Sequence, residues 1–270
     1  MFILYKMKEF QNKNQWALIL GGSSGLGLAT AKKLATNGLN ICIVHRNPRM
    51  QDTEIQEAFN TIKQENIQFK AFNTDAFKPE KRDVVIEALK AELGTQGKIK
   101  TLVHSVAKGN LKPMISEDTP VLKHDDFALT INAMGISLYD WTKAVFEATL
   151  FADDARIISF TSEGNTKAWQ NYAAVSAAKV TLEAITRNIA LEFAPFGIKA
   201  NCIQAGVTDT ASLRMIPGSE NIIKHSLIRN PNKRLTLPED VANVVYLLSK
   251  DEAFWITGTI IPVDGGEHLS

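Results

Sequence analysis

The chain is expected to fold as one α/β domain, doubly wound around a parallel sheet of seven strands. Three observations carry that expectation. Short apolar runs alternate with longer helical patterns almost from end to end. The runs are continuous rather than alternating, as in strands buried on both faces. No repeat, low-complexity tract or linker composition divides the 270 residues, a length that suits one large α/β domain.

The first strand covers 16–20 (WALIL) and runs through a glycine-rich turn into a helix over 26–37. Strands over 40–45 and 68–72 precede helices over 53–65 and 80–93. The apolar runs at 101–104, 156–160, 198–203 and 259–263 complete the sheet, between helices over 125–150, 171–193 and 238–249. Two connections are long. Residues 108–123 carry Pro113 and Pro120, and 207–237 carry Pro217, Gly218, Asn230 and Pro231. Loops of that length in a compact domain are usually functional. Leu213, Met215, Ile216, Ile222, Ile223, Leu227 and Ile228 all need burial, so 207–237 reads as a mobile, partly helical substrate lid.

Hydrophobic residues make up 45% and charged residues 22%, ordinary for a globular chain. Lys+Arg 30 against Asp+Glu 29 calls for neither nucleic acid nor an anionic membrane as partner. Cys42 and Cys202 each sit in an apolar run, without metal-ligand neighbours. That usage predicts no disulfide, no metal site and a reducing, cytoplasmic setting. Residues 1–14 read as an N-terminal extension, with Met7 a candidate start. The opening MFILY is too short for a signal or a span, and no later segment is long and apolar enough to insert in a membrane.

Gly21, Gly25 and Gly27 stand between the first strand and the first helix, spaced G-x-x-x-G-x-G around Leu26. Glycine permits the tight turn and the close approach of backbone to a phosphate at a helix N-terminus. Ser23 and Ser24 could donate to that phosphate. The second strand ends His45, Arg46, Asn47, without the acid that would bond a ribose 2′-hydroxyl. Arg46 can instead fork onto a 2′-phosphate, which favours NADPH as cofactor in a Rossmann-type domain. Asp75, with Ala76 beside it after the third strand, is placed to accept from the adenine amino group or to cap a turn. Tyr172 and Lys179 are seven residues apart in an apparent helix. Seven residues turn about 700°, so the two share a face. A phenol beside an ammonium suggests an acid with a lowered pKa.

These motifs together resemble the short-chain dehydrogenases/reductases, from residue 16 to residue 266. The resemblance extends through Asn132 in LTINAMG, the Tyr/Lys helix running into LEFAPFGIKANCI, AGVTDT and the closing IIPVDGG. It implies that Tyr172 is the acid, and that Lys179 lowers its pKa and holds the nicotinamide ribose. It implies that Asn132 orders the helix and a proton-relay water, and that Thr210 contacts the cofactor near its carboxamide. Ser105, Val106 and Ala107 after the fourth strand, and Ala205, Gly206, Val207 and Thr208 after the sixth, would line the same cofactor.

Three departures resemble the enoyl-acyl-carrier-protein reductase branch: the seven-residue gap, the turn LVHSVA, and Ala205 where most of the family has proline. A second tyrosine found ten residues upstream in several enoyl reductases is Ser162 here. Thr161 or Ser162 is expected to face the substrate instead. His104 is expected beside the cofactor, His45, His124, His225 and His268 at the surface or in turns, and Trp169 and Phe193 in packing roles. The implied function is NADPH-dependent reduction of a trans-2-enoyl thioester on acyl carrier protein, in fatty-acid synthesis. A 3-ketoacyl or other carbonyl reductase is the alternative, ahead of a non-catalytic dinucleotide-binding regulator. The apolar faces of the helices at 125–150 and 171–193 imply a homotetramer, or a dimer.

Overall fold

The apolar runs become strands β1 (Gln15–Leu20), β2 (Asn40–His45), β3 (Phe69–Asn73), β4 (Lys98–His104), β5 (Phe151–Thr161), β6 (Ile198–Ala205) and β7 (Ile260–Val263). All neighbours pair in parallel, in the order β3-β2-β1-β4-β5-β6-β7. The computed structural model describes residues 8–270, so the expectations for MFILY and for a start at Met7 lie outside it.

Helices cover both faces because alternate residues of each strand point to opposite sides. From β1, Trp16, Leu18 and Leu20 join α3 (Pro79–Leu93), α5 (Ser137–Glu147) and α6 (Ala173–Glu192) in one core. Ala17 and Ile19 join α1 (Gly25–Thr36), α2 (Asp52–Lys63) and α9 (Pro238–Ser249) in the other. The strand order reverses at β1, whose neighbours are β2 and β4. The loops after β1 and β4 therefore part, opening the crevice where such sheets bind ligands.

Three elements differ from expectation. The part of the 1–14 extension over 8–14 is docked on the domain, a placement the sequence did not predict. Phe10 is buried in the second core, its amide bonds the Asn37 carbonyl at 2.9 Å, and its ring meets Tyr246 edge-on at 6.2 Å. The helix expected over 125–150 divides into α4 (His124–Ile131), a π turn (Asn132–Ile136) and α5. Gly135 lies in that turn, where an added Cβ would stand 3.0 Å from Thr181 Cγ2 of α6. A wide turn without a side chain thus lets two helices meet closely. Finally, α6 begins at Ala173, because Asn171 has a left-handed φ of 62° and leaves Tyr172 at the cap.

Residues 207–237 form α7 (Ala211–Arg214) and α8 (Ser219–Arg229). Leu213 and Ile216 are buried against Tyr172, Val175 and Met134, and Ile222 and Ile223 pack beside them. Met215, Leu227 and Ile228 remain exposed, against the expectation that the whole apolar set would be buried. Among the described residues no helix is long and apolar enough to cross a membrane.

Candidate active site

A cavity of about 530 Å³ opens at the C-terminal ends of the strands, beneath α7. Its floor on one side is the glycine loop, where Gly21, Ser23, Ser24, Gly25 and Leu26 all reach the lining. Gly21 has φ 83°, and a Cβ there would stand 2.0 Å from the Ser105 carbonyl oxygen. Gly27 lies beneath the loop, where a Cβ would meet the Gly21 oxygen at 2.2 Å. Side chains are thereby excluded, so backbone faces the cavity at the start of α1, whose first turn carries no acid. Such a terminus favours an anion. The Ser23 hydroxyl is committed elsewhere and donates to Asn47 Oδ1 at 2.8 Å.

Arg46 reaches the lining from the end of β2. It donates to Asp75 Oδ2 at 2.8 Å, with the two side chains 60% and 20% exposed. Asp75 and Ala76 stand off the lining. Asp75 Oδ1 accepts from the Phe77 amide at 3.1 Å, and the Ala76 carbonyl accepts from Trp141 Nε1 at 2.9 Å. Asp75 thus takes the second of its two expected roles, capping a turn, and also holds Arg46.

Ser105, Val106 and Ala107 line the middle of the cavity, opposite Ala205, Gly206, Val207, Thr208 and Thr210. The Thr210 hydroxyl also caps α7, accepting from the Leu213 amide at 3.3 Å. His104 is buried just behind, with Nε2 2.8 Å from Ser137 Oγ. Burial, then the Lys179 charge, push it down to about 3, so it stays neutral.

Tyr172 and Lys179 both reach the cavity wall, and both are buried. The Tyr172 hydroxyl lies 3.4 Å from Ser162 Oγ. Burial raises its pKa, and the Ser162 contact only partly offsets this. Lys179 Nζ instead donates to the Phe160 carbonyl at 2.6 Å. Burial lowers Lys179 to about 8, against smaller opposing effects of Cys202 and Glu183. The expected lowering of Tyr172 by Lys179 is thus corrected, because the ammonium is turned to the strand. The two expected hydroxyls also part: Thr161 donates to the buried Glu183, and Ser162 faces Tyr172. Val175 lines the cavity four residues before Lys179, where a four-residue gap would place the tyrosine.

A family model described as enoyl-(acyl carrier protein) reductase matches residues 21–268. The chain belongs to that family of short-chain dehydrogenases/reductases. It is 28% identical to the enoyl-[acyl-carrier-protein] reductase [NADH] FabI of Enterococcus faecalis over 260 residues, covering 96% of this chain and 99% of the relative. It is also 28% identical to a 7α-hydroxysteroid dehydrogenase of Paraclostridium sordellii over 259 residues, 95% of this chain and 93% of the relative. The Bacillus cereus enoyl-acyl carrier protein reductase, solved with NADP+ and indole naphthyridinone, superposes with a TM-score of 0.85. The two share 24% identity over 98% of this chain and 99% of that one. Family membership makes the chain an oxidoreductase of this type. Relatives of equal similarity carry two activity names, so the substrate must be argued from the site.

His45 differs from its expected placement, and Asn132 lies away from the cavity. Asn132 starts the π turn with its side chain exposed and off the lining, and that side chain makes no hydrogen bond among the described residues. His45, expected at the surface, is buried on the lining, with Nδ1 2.9 Å from Asn47 Oδ1. Three lining residues were not expected at the site, although Trp169 was expected to pack. Trp169 packs on Tyr172 with ring centroids 5.1 Å apart, Asn47 bridges Ser23 and His45, and Glu163 sits beside Ser162. Position was the available signal, since each lies two residues past a strand or three before the tyrosine.

Proposed function

We propose that this protein reduces the carbon–carbon double bond of a trans-2-enoyl thioester, with NADPH as cofactor and acyl carrier protein as carrier. The observation that carries the reading is Tyr172, seven residues before Lys179, with its hydroxyl at the cavity wall beside Ser162. The glycine loop fits a dinucleotide, since any side chain at Gly21 or Gly27 would strike backbone where a pyrophosphate needs the space. When bound, the reduced nicotinamide supplies the hydride for the β-carbon. Tyr172, a neutral O–H, donates a hydrogen bond to the thioester oxygen, where negative charge grows in the transition state, and a solvent proton taken up at the α-carbon completes the saturated product. Lys179 holds its charge behind that wall, on the Phe160 carbonyl. Leu111, Met134, Trp169, Leu213 and Ile216 form an apolar wall suited to an acyl chain, and α7 excludes water from it.

Purified protein should oxidise NADPH with crotonyl or longer enoyl thioesters, and much more slowly with an acetoacetyl thioester. Turnover of the ketoacyl substrate alone would reject the reading. Carbonyl reduction is the second reading. It is favoured by the Ser162 hydroxyl beside Tyr172 and by the similarity to a hydroxysteroid dehydrogenase.

Arg46 supports NADPH over NADH. Its pair with Asp75 is largely exposed, and such pairs are worth roughly 0–1 kcal/mol, so a 2′-phosphate can recruit the guanidinium at little cost. Arg46→Ala should raise KM for NADPH about tenfold, the loss of a charge-assisted hydrogen bond of about 1.5 kcal/mol. KM for NADH should change little; equal rises for both would remove Arg46 from phosphate recognition. Assembly as a homotetramer or dimer is part of the same proposal. It is supported by Leu129, Ile136, Tyr139, Val180, Leu191 and Phe196, which stay exposed along 124–196.

A further inference from the structure

Glu163 follows Ser162 directly, lines the cavity and is only 9% exposed. A carboxylate so placed needs a partner. Arg229, the last residue of α8, supplies a forked one: Nη1 lies 3.0 Å from Oε1 and Nη2 2.7 Å from Oε2. Lys167 Nζ adds a contact at 3.0 Å. Burial alone would raise Glu163, yet these cations hold it below the ordinary carboxylate range.

The same guanidinium reaches a second carboxylate residue. Arg229 Nη2 donates to the Glu267 carbonyl at 3.0 Å and stands 3.5 Å from its Oε1. Glu267 is 2% exposed, and its Oε2 accepts from the Val207 amide at 3.3 Å. One side chain thus joins the turn that carries Ser162, the helix α8, and the C-terminal turn that anchors the start of 207–237. Two glutamates balance Arg229 and Lys167. A lysine at 229 would be a point charge without the planar fork that meets both Glu163 oxygens.

We propose that Arg229 is a positioning residue of this active site. By clasping Glu163 and Glu267 it sets the Ser162 turn and the 207–237 cover in one arrangement around the substrate end of the cavity. The kinetic consequence rests on the enoyl reductase reading; the clasp itself does not.

Glu163→Gln keeps the shape and removes the charge, whereas Arg229→Lys keeps the charge and removes the fork. In the full chain, both should speed hydrogen exchange about fivefold or more in 162–166 and 219–229 together, with 15–20 and 98–104 unchanged. Both should raise KM for an enoyl thioester about tenfold while KM for NADPH stays within about twofold. The double variant should be little worse than either single one, as for residues that act through one contact. Faster exchange in 219–229 alone, or in neither segment, would overturn the clasp. So would additive losses, or a parallel loss of NADPH binding. If the wild type reduces no enoyl thioester, the enoyl reading fails, and exchange in the two segments still decides the clasp.

Discussion

Tyr172→Phe is expected to lower kcat for enoyl thioester reduction by about 10²–10⁴-fold, the usual contribution of a positioned proton donor. The reason lies in what the substitution removes. Phenylalanine keeps the ring that packs against Trp169 and the apolar cluster of Val175, Leu213 and Ile216, and deletes only the hydroxyl. Ground-state binding should therefore survive, so KM for the acyl substrate and for NADPH should change about threefold or less. Ser162 loses its 3.4 Å partner but has little reach to replace it. The pH profile supplies a second readout. Burial holds Tyr172 above its ordinary value, so it stays neutral where Lys179, lowered to about 8 mainly by burial, gives up its proton. Activity should decline as pH rises through about 8, and residual activity in Tyr172→Phe should keep that decline. A variant retaining a tenth of wild-type kcat would remove Tyr172 from the chemistry.

The sheet was legible because each strand is an apolar run whose meaning depends on near neighbours alone. The departures arise where a longer range decides. Periodicity continues through Asn132–Ile136, yet contact with α6 at Thr181 makes the backbone widen there. The polar residues Asp153 and Asp154 hid the first half of β5, because Asp154 looks like a loop residue until Lys100, Arg156 and Lys199 are seen to bond it. Phe10 carried no signal in the sequence, although it is buried in the core with α1 and α9.

The candidate site divides along the same line. Glycines, Tyr172 and Lys179 carry their meaning in short spacings, and the fold brings them to one cavity. Pairings between distant residues left no such trace. Arg46 with Asp75 and Arg229 with Glu163 join charges 29 and 66 residues apart, and nothing local distinguishes them from solvated side chains. Thr161 and Ser162 illustrate a middle case. Successive residues at a strand end face opposite ways, so their hydroxyls take different partners although both residues line the cavity. Only the position of Glu183, across on α6, decides that the Thr161 hydroxyl is the one committed to a buried carboxylate.

The glycine loop offers the other large effect, and it separates backbone geometry from side-chain chemistry. Gly21→Ala should weaken NADPH binding by about a hundredfold or more and lower the melting temperature by several degrees. The φ of 83° already costs a residue with a Cβ roughly 1–2 kcal/mol. The Cβ would also stand 2.0 Å from the Ser105 oxygen, far inside contact distance, so β1 and β4 must part at the point where their loops open the crevice. That shift moves Ser105 and the start of α1 together, the two walls proposed to hold the pyrophosphate. Gly25→Ala makes the control. It shares a positive φ of 52°, but its nearest neighbour is the Thr210 methyl carbon at 3.5 Å, an ordinary contact. Its cost should be the conformational part alone, a several-fold change in binding. Fluorescence titration with NADPH and thermal melts read both variants. Equal losses at Gly21 and Gly25 would mean that left-handed backbone, and not the approach of β1 to Ser105, is what the loop requires.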